Sequence, residues 1–250
     1  RVDVDRRYSE LKNRNNDNFK SIVPVLYDKT FSIGRVYGWK WNLSRSLSVN
    51  YAATANSWVE EPLGALNTEA KRDTLWQNFL SLGRLNNFNQ TINANYSVPL
   101  RKIKYLDWIT LTTRYTASYE WRNAPPASVT LGNTIQNSRT IGVNSNLNFI
   151  SFYNKFKYLQ KVNRPVRKPR PGEEDKKQEI SSTTRTVLKF IMMLKQAQFG
   201  ITQTDGTTLP GFTKTMDFVG QNFKHNTPGF PFILGVQDED LRYNIAKNGF

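Results

Sequence analysis

Phe88–Val98 (FNQTINANYSV) alternates with a period of two. Its even positions, Phe88, Gln90, Ile92, Ala94, Tyr96 and Val98, are mostly apolar, whereas Asn89, Thr91, Asn93, Asn95 and Ser97 are all polar. Successive side chains of a β-strand point to opposite faces, so this stretch has one apolar and one hydrated face. A helix would spread the same residues around its circumference.

The code recurs on both sides. Downstream, Ile109, Leu111, Thr113, Tyr115, Ala117, Tyr119 and Trp121 oppose Thr110, Thr112, Arg114, Thr116, Ser118 and Glu120. Ile141, Val143, Ser145, Leu147 and Phe149 then oppose Asn144, Asn146 and Asn148. Upstream, Leu47, Val49, Tyr51, Ala53 and Ala55 oppose Ser48, Asn50 and Thr54, and Phe31, Ile33, Tyr37, Trp39, Trp41 and Leu43 share a face interrupted by Arg35. Ser44-Arg45-Ser46 is short enough for a hairpin turn. The other connections are long, which predicts tight turns on one rim and elaborate loops on the other. Residues 183–194 alternate less cleanly, with Val187, Ile191 and Met193 on the nominally polar side; they are expected to form a strand paired with Ala197, Phe199 and Ile201.

Helical spacing marks two interruptions. Residues 68–83 offer Thr68 as a cap, a Leu75, Phe79 and Leu82 stripe, and Gly83 as a stop; residues 152–162 space Phe152, Phe156 and Leu159 helically. The layout expected is a connecting segment (1–30), a barrel hairpin (31–59), a loop with a short helix (60–87), barrel strands with long loops (88–150), a helix with a basic Pro-rich loop (151–182), a strand hairpin (183–205) and a loop and short-helix region (206–250). The chain starts at Arg1 without an apolar leader and is read as a mature chain or an internal fragment.

A soluble antiparallel sandwich also alternates. Three features favour a transmembrane β-barrel. The alternating segments match the roughly nine to eleven residues of a tilted membrane strand rather than the five or six usual in soluble sheets. Aromatics gather near segment ends (Trp39, Trp41, Trp58, Tyr96, Trp108, Tyr119, Trp121), as interfacial girdles require. The polar faces are built from Asn, Thr and Ser, where a soluble exterior recruits more Lys and Glu. The fold class expected is therefore all-β: an antiparallel transmembrane barrel segment with short helices in its loops. Too few strands are present to close a wall, since the smallest single-chain barrels use about eight and an open edge is not tolerated in lipid. Either further strands come from elsewhere in a longer chain, or other subunits complete the wall.

The chain carries a formal net charge of +15, but seven Lys/Arg against three acids fall in the single run Lys161–Lys177, a solvated loop in its simplest reading. No nucleic-acid partner is expected, because aromatics and polar groups occupy opposite strand faces. Cysteine is absent, which removes disulfides and thiolate chemistry. The one histidine, His225, sits in a Gly/Pro-flanked loop and no Gly-x-Ser-x-Gly elbow accompanies it. Carboxylates at Glu60–Glu61, Glu173–Asp175 and Asp238–Asp240 read as solvated loop acids, without the ligand spacing of an EF-hand. No catalytic residue, metal or cofactor is expected.

Several loop strings carry a resemblance. Leu131–Ser138 (LGNTIQNS), Asn95–Pro99 followed by Leu106–Trp108, Glu61-Pro62, Gly206–Gly211 (GTTLPG) and Pro228–Gln237 (PGFPFILGVQ) running on to Leu241-Arg242 and Asn248-Gly249 resemble the SprA/Sov family. That family forms the outer-membrane translocon of the Bacteroidetes type IX secretion system, and the resemblance spans roughly residues 30 to 250. It implies an internal piece of a giant single-chain barrel in the bacterial outer membrane, through which folded cargo such as gliding adhesins and secreted enzymes is exported. It further implies as partners a smaller PorV-type outer-membrane barrel, a periplasmic plug protein, the secreted cargo and outer-membrane lipid. It brings no catalytic motif.

Strand parity, not a family motif, assigns the two surfaces. Asn89, Thr91, Asn93, Asn95, Ser97, Thr110, Thr112, Arg114, Thr116, Ser118, Asn144, Asn146 and Asn148 are expected to line the lumen. Ile92, Tyr96, Leu111, Tyr115, Tyr119, Val143, Leu147 and Phe149 are expected to face lipid. The alternatives are another outer-membrane barrel, such as a porin or nutrient transporter, and a soluble β-rich basic binding module.

Overall fold

The period-two segments become seven strands: β1 (Val2–Leu11), β2 (Leu26–Asn42), β3 (Leu47–Trp58), β4 (Arg84–Val98), β5 (Ile109–Arg122), β6 (Asn133–Asn148) and β7 (Gln196–Phe212). Between and after them lie α1 (Glu69–Leu80), α2 (Phe149–Tyr153), α3 (Lys157–Asn163), α4 (Ser182–Ile191) and α5 (Phe230–Ile233). The computed structural model describes residues 1–13, 24–163, 182–217, 219–240 and 243. Each strand pairs antiparallel with the next in sequence, giving one meander ordered β1 to β7. Among the described residues β1 and β7 are free edges, so the sheet is open.

Register places every alternating set on the same two faces. On one face Trp39 opposes Tyr51, which opposes Ile92 and then Ala117. On the other Asn50 opposes Asn93, which opposes Thr116, Thr140 and Thr204. We call these the apolar and polar faces. A one-residue slip between any two of β2–β7 would exchange them, so the parity of one face holds the register of those six strands.

The two ends of the sheet differ. At the turn rim, Ser44 closes the β2–β3 hairpin: its amide donates to the Leu47 carbonyl at 3.2 Å, and its hydroxyl accepts from the amides of Ser46 and Leu47. At the far rim the chain folds back over the apolar face. Phe79 of α1 stacks on Phe31 at 5.6 Å, and the 59–66 loop docks Glu61 onto Arg6 of β1. After β7, residues 213–217 and 219–240 lie as a strap across β4–β6. Ala53, Ala55, Phe88, Tyr119, Trp121 and Ile135 from the sheet meet Met216, Phe232 and Ile233 from the strap in the main core. Burial therefore alternates only at the far-rim end, as at Ala117, Tyr119 and Trp121 on β5. Two glycines let the strap lie flat. A Cβ on Gly220 would come within 2.6 Å of the Tyr119 ring, and one on Gly235 within 3.0 Å of the Ser138 carbonyl; both have positive φ.

Several expectations need correction. Residues 1–30 do not merely connect, because they contain β1 and the start of β2. The apolar period of β1 is diluted by Asp3, Asp5, Arg6, Arg7 and Glu10, so pairing with β2 rather than pattern defines it. Residues 183–191 lie in α4 and 192–194 in the turn after it, not in a strand, so the expected 183–205 hairpin is absent and Ala197, Phe199 and Ile201 pair with β6 instead. Val187 and Ile191, which broke the alternation, stand four apart in α4 and were the trace of a helical period, while Met193 lies in the turn beyond it. The 206–250 region begins with seven further residues of β7, which ends at Phe212. The 152–162 helix is two, α2 and α3, broken at Asn154–Phe156. Helix α1 forms where expected, with Thr68 at its N-cap position making no side-chain cap and Leu82 outside it at positive φ. Short turns and long loops are not segregated by rim: the β6–β7 connection with α2–α4 leaves from the same rim as the Ser44 turn. The basic run from Arg164 to Lys177 lies outside the described residues.

Candidate functional site

The apolar face is split in two by polarity. Toward the far rim it carries the charged side chains Arg6, Glu10, Lys29, Arg35, Arg139 and Asp205 together with Asn137 and Gln90. Toward the turn rim, on β2–β7, it carries none: Trp39 and Trp41, Val49, Ala94 and Tyr96, Leu111, Val143, and Phe199 and Ile201 make an uncharged band. Trp39 and Trp41 stack in parallel at 5.6 Å. At β7 the band is bare, with Phe199 and Ile201 67% and 69% exposed.

The boundary crosses the strands obliquely. Arg35 lies in the register row that ends at Leu209 on β7, but the last charged residue on the apolar face of β7 is Asp205. Four residues at about 3.4 Å each, over five strand spacings of about 4.8 Å, put the boundary roughly 30° from the hydrogen-bond direction.

The polar face has the opposite character. Between β3 and β7 its interior charges are Arg114 and Glu120; apart from Ala52, the rest of the interior is Asn, Thr, Ser, Gln and Gly. Neighbouring side chains satisfy one another across strands. Arg114 donates to Asn95 at 3.0 Å, Thr116 to Asn93 at 2.8 Å, and Ser118 and Ser138 share a 2.6 Å bond. Thr140 and Thr204 do the same at 3.0 Å. Such a surface is hydrated, close to neutral and without a sticky apolar patch.

The structure brings the parity-assigned residues together with three exceptions. Asn89 through Ser97, Thr110 through Ser118, Asn144 and Asn146 share the polar face. Asn148 ends that row but is already engaged, accepting a hydrogen bond from the Ser151 amide at 3.1 Å as the N-cap of α2. Ile92, Tyr96, Leu111, Tyr115, Val143 and Leu147 share the apolar face. Tyr119, expected to face lipid, is 1% exposed: the strap covers it, and Met216 Sδ accepts its hydroxyl at 3.1 Å. With Trp121 it belongs to the core rather than to an aromatic girdle. Phe149, also expected to face lipid, lies beyond the strand in the first turn of α2, against Trp108 at 5.6 Å.

Sequence reasoning missed the far-rim anchors. The side-chain amide of Asn137 donates to the carbonyls of Phe232 and Val236 at 2.9 and 3.3 Å, and its oxygen accepts from the Thr207 amide at 3.1 Å and from Gln237 at 3.2 Å. Tyr115 donates to the Leu234 carbonyl. Three resembling strings, Leu131–Ser138, Gly206–Gly211 and Pro228–Gln237, thus converge on one buried asparagine. Their joint presence was the available signal. Glu61, read as a solvated acid, has a side chain only 3% exposed; Arg6 binds it through two nitrogens at 2.6 and 3.1 Å and Lys29 approaches to 3.9 Å.

At the turn rim, Lys155 pairs with Asp107 and holds its carboxyl below the usual range. Asp238 accepts from the Asp240 amide at 2.9 Å, and the His225 amide donates to Asn222 at 3.0 Å. Glu173–Asp175 lie outside the described residues. Among the described residues no three metal-ligating side chains of the His, Cys, Asp or Glu type cluster, and no helix is long and apolar enough to cross a membrane.

No known protein family's sequence profile matches this chain, and no curated protein matches it.

Proposed function

We propose that this sheet is a wall segment of an outer-membrane channel that exports folded proteins, with the uncharged apolar band against lipid and the polar face against the cargo path. The band is the observation that carries this reading. A sheet in water would be expected to cover such a band or to break it with charge, and here the cover stops where the charges stop. β4–β7 contain 15, 14, 16 and 17 residues, and a membrane crossing needs about nine to eleven. The surplus lies at the far rim, where protein replaces lipid over the apolar face. The oblique boundary supports the same reading, because barrel strands tilt by roughly 35–45° to the membrane normal.

Two free edges and seven strands suit a wall that continues into neighbouring strands. A neutral Asn/Thr/Ser surface lets a folded protein pass without adhering. Porins and nutrient transporters share the lipid band; the loop strings that resemble the SprA/Sov family favour the protein channel. In that setting the partners are secreted cargo, lipid, a PorV-type barrel and a periplasmic plug, and no reacting group is needed.

Site-specific photocrosslinking in the full-length protein tests the reading. A photoreactive residue at Asn93 or Thr116 should capture exported cargo during secretion, and one at Val143 or Ile201 should capture lipid. Cargo captured equally from both faces, or small solutes transported with no cargo ever captured, would overturn it.

A further inference from the structure

Four cations stand on the far-rim half of the apolar face, and three of them have a carboxylate. Arg6 and Lys29 share Glu61, and Arg139 meets Asp205 at 2.9 Å. Arg35 is the fourth. Its terminal nitrogen donates to the fully buried hydroxyl of Ser57 at 2.8 Å, while its Nε is buried without a partner. Among the described residues no acid lies within ion-pair distance of it. An incompletely satisfied guanidinium drawn out of water is costly, and an anion placed beside it relieves that cost.

Space for an anion exists. Arg35 lines a cavity of about 520 Å³ between the sheet, the end of α1 and the start of the strap. On one side the wall is Tyr37, Trp39 and Tyr51, the margin of the uncharged band; on the other it is Thr215, Met216 and Asp217. Asp217 is engaged elsewhere, accepting from the Phe223 amide at 3.0 Å. The cavity is therefore amphipathic, lined by the cations Arg35 and Arg84 and by aromatic side chains that belong to the margin of the uncharged band.

We infer that this cavity binds the phosphate headgroup of a membrane lipid at Arg35, with an acyl chain laid along Tyr37 and Trp39. Arginine suits the task because its planar fork takes a phosphate through two donors. The site stands where the band meets the cover, the level at which a headgroup would lie. The inference rests on the channel-wall reading for the orientation of the sheet. Bound there, the lipid would bridge β2, the end of α1 and the strap, and so seal the seam between protein cover and bilayer.

Native mass spectrometry of the full-length protein released from nanodiscs provides the test, using phosphatidylglycerol against phosphatidylcholine with matched chains. The unaltered protein should retain phosphatidylglycerol at least tenfold better. Arg35→Gln should abolish that preference and Arg35→Lys should keep part of it. Thr215→Trp, at an exposed residue on the cavity wall, should block retention with Arg35 intact, which guards against misfolding of the Arg35 variant. Equal retention of both lipids, or a preference unchanged in Arg35→Gln and Thr215→Trp, would overturn the site. Inorganic phosphate that displaces the lipid at millimolar concentration would reduce it to a simple anion site and overturn the acyl contact. Failure to enter nanodiscs at all would sink the channel-wall reading and this inference with it; entry without an Arg35-dependent preference sinks the inference alone.

Discussion

Asn137, buried on β6, donates its side-chain amide to the Phe232 carbonyl at 2.9 Å and so ties the strap to the middle of the sheet. The strap residues around that carbonyl form only the four-residue α5, which cannot hold itself in place. The order at the far rim is therefore imposed by the sheet: Asn137 makes three hydrogen bonds with the strap, and Tyr115, Tyr119, Trp121, Asn133 and Thr207 make one each. Asn137→Ala should strand two strap carbonyls and the Thr207 amide, at a cost of about 2–4 kcal/mol, since each unmet buried group costs about 1–3 kcal/mol. Limited proteolysis checks this. Cleavage within residues 219–237 should accelerate markedly while cleavage at the Ser44 turn stays unchanged, and equal protection in both proteins would refute the anchoring role.

Gly235 and Gly38 make a second comparison. Gly235, at φ +85, sits against Ser138 and Ala117, whereas a Cβ on Gly38 meets nothing within 4 Å. Gly235→Ala should cost about 1–3 kcal/mol, combining left-handed strain with displacement of the strap. Gly38→Ala should be neutral or mildly stabilising, because alanine loses less conformational freedom than glycine in a strand. Thermal or denaturant unfolding in detergent separates the two. A Gly235→Ala protein as stable as the parent would mean the strap does not need this close approach.

The Asp107–Lys155 pair predicts a local pH response at the turn rim. Lys155 depresses the Asp107 carboxyl, so the pair contributes above the unfolded value near 3.9 and is lost as pH falls through the lower folded value. Hydrogen exchange at residues 104–109 and 152–157, corrected for intrinsic rates, should stay level from about pH 8 to 5 and rise only below about pH 4. Asp107→Asn should remove that rise and leave exchange faster throughout. A transition centred near pH 6 would point to another group.

Strands β3 to β6 and most of β2 were legible because their alternation survives long segments, whereas β7 was read only in part and with the wrong partner. What could not be read is the division of that face. Phe88, Tyr119 and Trp121 have the same parity and chemistry as Ile92, Tyr115 and Leu111; only the return of the strap, a contact nearly a hundred residues away in sequence, makes the first group core. For the same reason Glu61 read as a loop acid until Arg6, in a strand with little apolar signal, came to meet it. The polar face was the better-read surface, since it depends on local parity alone. Helix α4 was misread where a short amphipathic run satisfies both periods about equally.

Phe199 and Ile201 separate a wall in lipid from a sheet in water more sharply than any buried position. Both are about two-thirds exposed, so arginine there would cost a soluble protein almost nothing. Against lipid the same change should cost about 2–4 kcal/mol at the bilayer midplane and less near its surfaces. Gln198 and Thr202 flank them on the polar face and should accept arginine in either setting. Arginine at Ile92, Leu111 and Val143 should also harm assembly, but these side chains are partly buried, so their response is less diagnostic. Tyr119→Arg should fail in any environment, because it would place a charge under the strap. Assembly of the full-length variants in outer membranes, read by heat-modifiable migration and protease protection, should therefore rank Phe199→Arg and Ile201→Arg well below Gln198→Arg and Thr202→Arg. Four equally tolerated substitutions would remove lipid from the apolar band and with it the channel wall.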